Sequence, residues 1–150
     1  MNAISAAQYS VDSRTVPAAA LLLRVSLGVM FLAHSIVLKL LTYGLAGTAA
    51  FFVGIGLPGS LAYVTFAAEA LGGVLLILGV QTRWVALALS PILLGAIFWV
   101  HGSNGWMFGN PNGGWEYPLY LFVLCAAQTL LGDGPLALSP SWVPRGWRRV

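Results

Sequence analysis

The run PAAALLLRVSLGVMFLAHSIVLKLL, residues 17–41, decides the fold, because it carries only two fixed charges, Arg24 and Lys39. A bilayer core about 30 Å thick is crossed by roughly 20 residues of helix, and within hydrocarbon a helix satisfies its own backbone hydrogen bonds. The run reads as a transmembrane helix, with Pro17 in the first turn, where a missing N–H is no loss. A cleavable signal peptide fits less well. Arg24 interrupts the apolar stretch, the preceding tail is polar rather than strongly basic, and the pattern continues to Leu41.

Outward from that run, 59% of the 150 residues are hydrophobic and 7% charged, against about 25% charged in a soluble domain. Helix 2 is expected over about 60–80. The turn Gln81-Thr82-Arg83 is so short that helix 3, about 84–100, must be its antiparallel neighbour, with an expected kink at Pro91. A Gly-rich polar loop, 101–114, leads to helix 4 at about 116–131, which Gly132-Asp133-Gly134-Pro135 terminates. At about 1.5 Å per residue this last helix is short for a crossing. Residues 42–59 contain too many glycines to span, yet 48–53 is apolar, so a short interfacial or re-entrant helix is expected there. The fold class is therefore all-α: an integral membrane four-helix bundle with a short helix in the 1–2 loop. Residues 1–16 form an N-terminal tail, 17–134 the transmembrane domain, and 135–150 a basic C-terminal tail.

The net charge of +3 comes with Arg14, Arg83, Arg145, Arg148 and Arg149 outside the most apolar runs. That pattern reads as membrane topology rather than nucleic-acid binding. It places both termini in the cytoplasm and, in a bacterium, gives a multi-pass inner-membrane protein with loops 1–2 and 3–4 in the periplasm. Cys125 is the lone cysteine, which excludes an internal disulfide, a CxxC redox pair and a cysteine-held iron–sulfur cluster. No flavin, nicotinamide or haem motif is visible. The six tryptophans fall mostly near the expected helix ends, as an interfacial belt would.

Ionisable residues inside a membrane normally face protein or a wet cavity and find partners. Here they are Arg24, His34, Glu69, His101 and Glu116. Arg24 and Glu69 fall within about two helical turns in depth on antiparallel neighbours, so a buried ion pair joining helices 1 and 2 is expected. A proton relay or ligand contact is the functional alternative. Gly72 and Gly73 follow Glu69, and Ala68 with Gly72 forms a small-xxx-small pair, so another helix can approach beside the carboxylate. His34, His101 and Glu116 converge on one membrane face, where a hydrogen-bonded network with Asn104 and Tyr117 is expected. Such a network is compatible with a ligand or with proton exchange. No tight metal spacing such as HExxH occurs, so no metal site is assigned. Glu116 is also explained by its place at a helix N-terminus, where the dipole favours negative charge.

Several short motifs make the chain resemble the DoxX family of small bacterial four-helix membrane proteins. They are Leu23-Arg24-Val25-Ser26-Leu27-Gly28, Phe31-Leu32-Ala33-His34, Lys39-Leu40, Gly56-Leu57-Pro58, and Glu69 with Gly72-Gly73. The series continues with Leu78-Gly79-Val80-Gln81-Thr82-Arg83, Val100-His101, Asn104-Gly105-Trp106 and Gly113-Gly114-Trp115-Glu116-Tyr117-Pro118, in order from about residue 20 to 134. Ser35 departs from the family's usual Gly after the histidine, and the two tails have no counterpart. Some members of the family resemble membrane subunits of quinone-linked oxidoreductases, including thiosulfate:quinone oxidoreductase, and others accompany redox-defence proteins.

Two functions of different kinds follow as expectations. The first is a membrane subunit of a redox complex, in contact with lipid and a protein partner. It would hold a quinone or other amphipathic ligand near the periplasmic end, with Arg24, His34, Glu69, His101, Asn104, Glu116 and Tyr117 as ligand or proton-exchange candidates. Any catalysis would be as a subunit of a quinone-linked oxidoreductase, with electrons coming from the partner. The second is a non-catalytic subunit that anchors a larger membrane assembly. A small channel or transporter is disfavoured, because a short bundle without a repeat leaves little room for alternating access.

Overall fold

The computed structural model describes residues 13–143. The expected N-terminal tail up to residue 12, and Arg145, Arg148 and Arg149 near the other end, lie outside the described residues. The fold is all-helical. Helix α1, Val16–Leu32, continues without a break as a π-helix, Ala33–Thr42. The short α2 spans Gly44–Gly54, α3 Ser60–Leu78, and α4 Thr82–Gly95, which runs on as a second π-helix over Ala96–His101. Helix α5 spans Glu116–Leu131. Among the described residues five α-helices thus stand where four spans plus a short loop helix were expected, α2 being the loop helix and extending further than 48–53 at both ends.

Among the described residues, three continuous segments are long and apolar enough to cross a membrane: Val16–Thr42, Ser60–Leu78 and Thr82–Asn104. Helix α5, with sixteen residues, is shorter than a full crossing, as its sequence implies. Pro91 sits inside α4 without ending it, and the winding changes later, at Ala96.

The bundle closes through small residues. A Cβ added to Gly28 of α1 would lie 2.7 Å from the carbonyl oxygen of Gly73 in α3, and one added to Gly72 would lie 2.8 Å from Leu89 of α4. The adjacent glycines after Glu69 therefore serve two different neighbours, letting α3 pack closely on α1 with one face and on α4 with the next. Leu27, Phe31, Leu76, Ala86, Leu89, Leu93, Leu121 and Cys125 fill the centre. Many large apolar side chains on the outer faces, among them Leu22, Val64, Leu71, Phe98 and Leu130, are exposed. On helices of this composition that surface meets lipid.

Candidate functional site

The polar groups gather at the two ends of the bundle. One end, here the cap, joins the α3–α4 turn to the segment after α5. Its geometry comes from a general problem: a helix leaves its first N–H and last C=O groups without partners. Helix α4 begins with no side-chain cap of its own. Asp133 supplies one from beyond α5, its Oδ1 accepting from Thr82 N at 3.0 Å, while Ser141 Oγ accepts from Arg83 N at 3.0 Å. In return, Arg83 Nη1 donates to the carbonyls of Thr129 and Leu130 at the end of α5, at 2.7 and 2.9 Å. Each helix end is thus capped by residues of the other segment, with the charge signs that helix dipoles favour. Burial opposes ionisation of Asp133, yet hydrogen bonds from Ser141 and from the Thr82 backbone prevail and hold its carboxyl below the usual carboxylate range. The chain then lies along the turn, Leu138 N donating to Leu78 O and Gln81 N to Ser139 O. The first part of the C-terminal tail packs here as far as Trp142, whose carbonyl accepts from Trp84 Nε1 at 2.8 Å.

Arg24 belongs to this cap, which corrects the expected Arg24–Glu69 pair. Its side chain is 1% exposed; Nη1 donates to Asp133 O at 2.9 Å and Nη2 to Pro135 O at 3.3 Å. The guanidinium lies against Gly79, where an added Cβ would collide with Nη1. Depth decided the partner: about two turns into α1, the long side chain reaches back to the carbonyls closing the bundle sooner than it reaches the middle of α3.

Glu69 pairs instead with Lys39, Nζ to Oε2 at 2.6 Å, with side-chain exposures of 14% and 5%. The sequence reading missed Lys39, and the cause is the winding of its helix. An α-helix continued from the buried Phe31 would set Lys39 about 80° around the axis. The i→i+5 bonding of the π-helix takes fewer degrees per residue and turns Lys39 back toward the protein-facing side. Ser35, fully buried in that segment, bonds the carbonyls of Phe31 and Leu32. Thr48 of α2 bonds Lys39 O at 3.2 Å, fastening the loop helix to the same segment.

At this second end, the loop end, the expected single cluster of His34, His101 and Glu116 resolves into separate groups. His101 Nδ1 meets Gly113 O at 2.9 Å, and Asn104 Nδ2 donates to the same carbonyl at 2.9 Å and to Val100 O at 3.1 Å. Glu116 Oε1 accepts from Phe108 N at 2.8 Å. These three residues shape the 105–115 loop. His34 stands apart from them: its Nδ1 meets Met30 O at 3.0 Å, and its ring lies nearly parallel to that of Tyr117, centroids 6.3 Å apart. It is also close enough to Glu69 to interact with it electrostatically. No group of three or more His, Cys, Asp or Glu able to hold a metal occurs among the described residues.

Two open grooves flank Tyr117. One, of about 460 Å³, runs along α1 and is lined by Val25, Ser26, Val29, Met30, Ala33, His34 and Tyr117. The other, of about 510 Å³, lies on α5 beneath the loop, between Trp106, Phe108, Glu116, Tyr117 and Tyr120. Both are mostly apolar with a few polar groups, the character of a site for an amphipathic molecule.

Spanning apolar helices, with most of their buried polar groups paired inside the bundle, define a multi-pass membrane protein. The DoxX family model matches residues 19–102, and the chain belongs to that family. It is also similar to a Bacillus subtilis (strain 168) protein named "Putative oxidoreductase CatD", 38% identical over 120 residues, which are 80% of this chain and 84% of the relative. No solved structure matches the chain.

Proposed function

We propose that the protein is a membrane subunit of a redox complex, holding a quinone-type ligand in the groove between α1 and α5. The observation that carries this reading is the groove itself. Val25, Val29, Met30 and Ala33 form its apolar wall, and His34 and Tyr117 stand together at its loop end. A ring with polar substituents and a hydrocarbon tail fits that division, the tail running along α1 and the ring facing His34. The name of the B. subtilis relative supports a link to redox chemistry. Electrons would enter from a protein partner. Native mass spectrometry in mild detergent tests the reading: a co-purifying quinone supports it, and a tight protein partner with no small molecule removes it.

The second reading, a non-catalytic anchoring subunit, is favoured by the way both terminal nitrogens of Arg24 and the Lys39–Glu69 pair find their partners within the bundle. It predicts that outcome of a partner without ligand. For orientation, the cap end is proposed to face the cytoplasm of a bacterial inner membrane, because Arg83 lies there and Arg14 precedes α1 on the same side. Single cysteines placed within 103–112 should react with an impermeant thiol reagent from outside the cell; reaction from the cytoplasm only reverses the assignment.

A further inference from the structure

Met30 O, a carbonyl oxygen, can only accept a hydrogen bond, so the nitrogen of His34 that meets it at 3.0 Å must be the one bearing hydrogen. A neutral imidazole protonated at Nδ1 presents a lone pair at Nε2. Among the described residues Nε2 has no hydrogen-bond partner, and the ring borders the groove along α1. The polar end of the groove therefore offers an acceptor. Beside it, the Tyr117 hydroxyl, which can donate or accept, likewise has no partner among the described residues.

We infer that the α1–α5 groove selects the hydroxyl-bearing, reduced form of a ring ligand, a hydroquinone, over the corresponding quinone, with the ligand hydroxyl donating to His34 Nε2. This deepens, and rests on, the ligand reading given above. The ring carbonyl of a quinone would bring a second acceptor against the Nε2 lone pair, so that Nε2 stays unpaired and only the Tyr117 hydroxyl remains to donate to the ligand. The hydroquinone replaces that mismatch with a hydrogen bond. The apolar residues Val25, Val29 and Ala33 extend from His34 toward the middle of the bundle, where a tail attached to the ring would lie.

The test is calorimetric titration of the purified chain in detergent micelles with decylubiquinol, kept reduced under anaerobic conditions, and separately with decylubiquinone. The reduced form should bind about ten-fold more tightly, the size of one well-made neutral hydrogen bond. His34→Phe, which keeps a ring and removes the acceptor, should weaken binding of the reduced form by a similar factor and leave the oxidised form bound no more weakly than before. The comparison of the two ligands on the unmodified protein stands even if that variant fails to fold. If neither form binds, the ligand reading falls and the inference with it. If both bind equally, if the oxidised form binds more tightly, or if folded His34→Phe still discriminates, the inference alone is overturned.

Discussion

At the cap end, Arg24, Arg83 and Asp133 direct their polar atoms at backbone N–H and C=O groups; at the loop end, Lys39 and Glu69 face each other and His34 borders an open groove. The cap polar groups close helix ends, a task any bundle has, and packing leaves little room around them. Lys39, Glu69 and His34 are not needed to close a helix end or a loop. Lys39 lies near the end of a spanning segment, where a lysine would ordinarily extend outward to water; here it turns inward to a carboxylate in the middle of α3. The contrast separates polar residues that complete the fold from polar residues that the fold holds in place for something else.

The sharpest way to break that contrast is at Lys39 and Glu69. Lys39→Met leaves a nearly buried carboxylate without its partner, and removing one member of a buried pair costs about 3–5 kcal/mol. Lys39→Met/Glu69→Leu should recover most of the loss, read as thermal or denaturant melts in detergent. Strict additivity of the two single changes would mean the pair contributes nothing.

Arg24→Leu should come next in size. It strips two carbonyls of a charged donor in a closed site, about 3 kcal/mol by the usual worth of hydrogen bonds to charged groups. Combined with Glu69→Leu, its effect should add, because the two residues serve opposite ends of the bundle. Coupling beyond about 0.5 kcal/mol would restore the Arg24–Glu69 contact expected from the sequence alone.

Helix order was legible because it rests on long apolar runs and glycine-rich breaks: α5 begins and ends at the expected residues, and the loop helix forms where the glycines interrupt the span. The charge partners were not. Their choice turns on azimuth and reach, and α-helical periodicity assigns azimuth wrongly once a helix winds as π, as α1 does just before Lys39. Asp133 was read only as part of a helix stop, because a cap supplied from about fifty residues away leaves no local spacing to find. His34 and Tyr117 were both named as candidates, but their pairing, separate from His101 and Glu116, depends on how α5 rotates against α1.

A smaller effect is expected at Gly79, whose φ of +70° lies in the left-handed region and whose missing Cβ makes room for the Arg24 guanidinium. Gly79→Ala should cost about 2 kcal/mol through conformational strain and overpacking. Adding Arg24→Leu should relieve the overpacking part of that loss. An alanine tolerated without any loss would show that the cap is looser than its contacts imply.

The smallest effect should distinguish the two ends by pH. Asp133, held below its unfolded carboxyl pKa, binds a proton less readily in the folded chain than in the unfolded one. Its contribution is therefore fully present above the unfolded value of about 3.9 and is lost as pH falls through the lower, folded value. Asp133→Asn keeps the size of the side chain but turns an amide toward Ser141 N, which already donates, so near pH 7 it should lower stability by about 1 kcal/mol, as loss of a helix cap does. Melting both proteins in detergent from pH 7 down toward pH 3 should show the gap narrowing only in the acid range, as the wild-type carboxyl takes up its proton. A gap that stays constant throughout would mean that Asp133 acts at the cap by shape alone and not by charge.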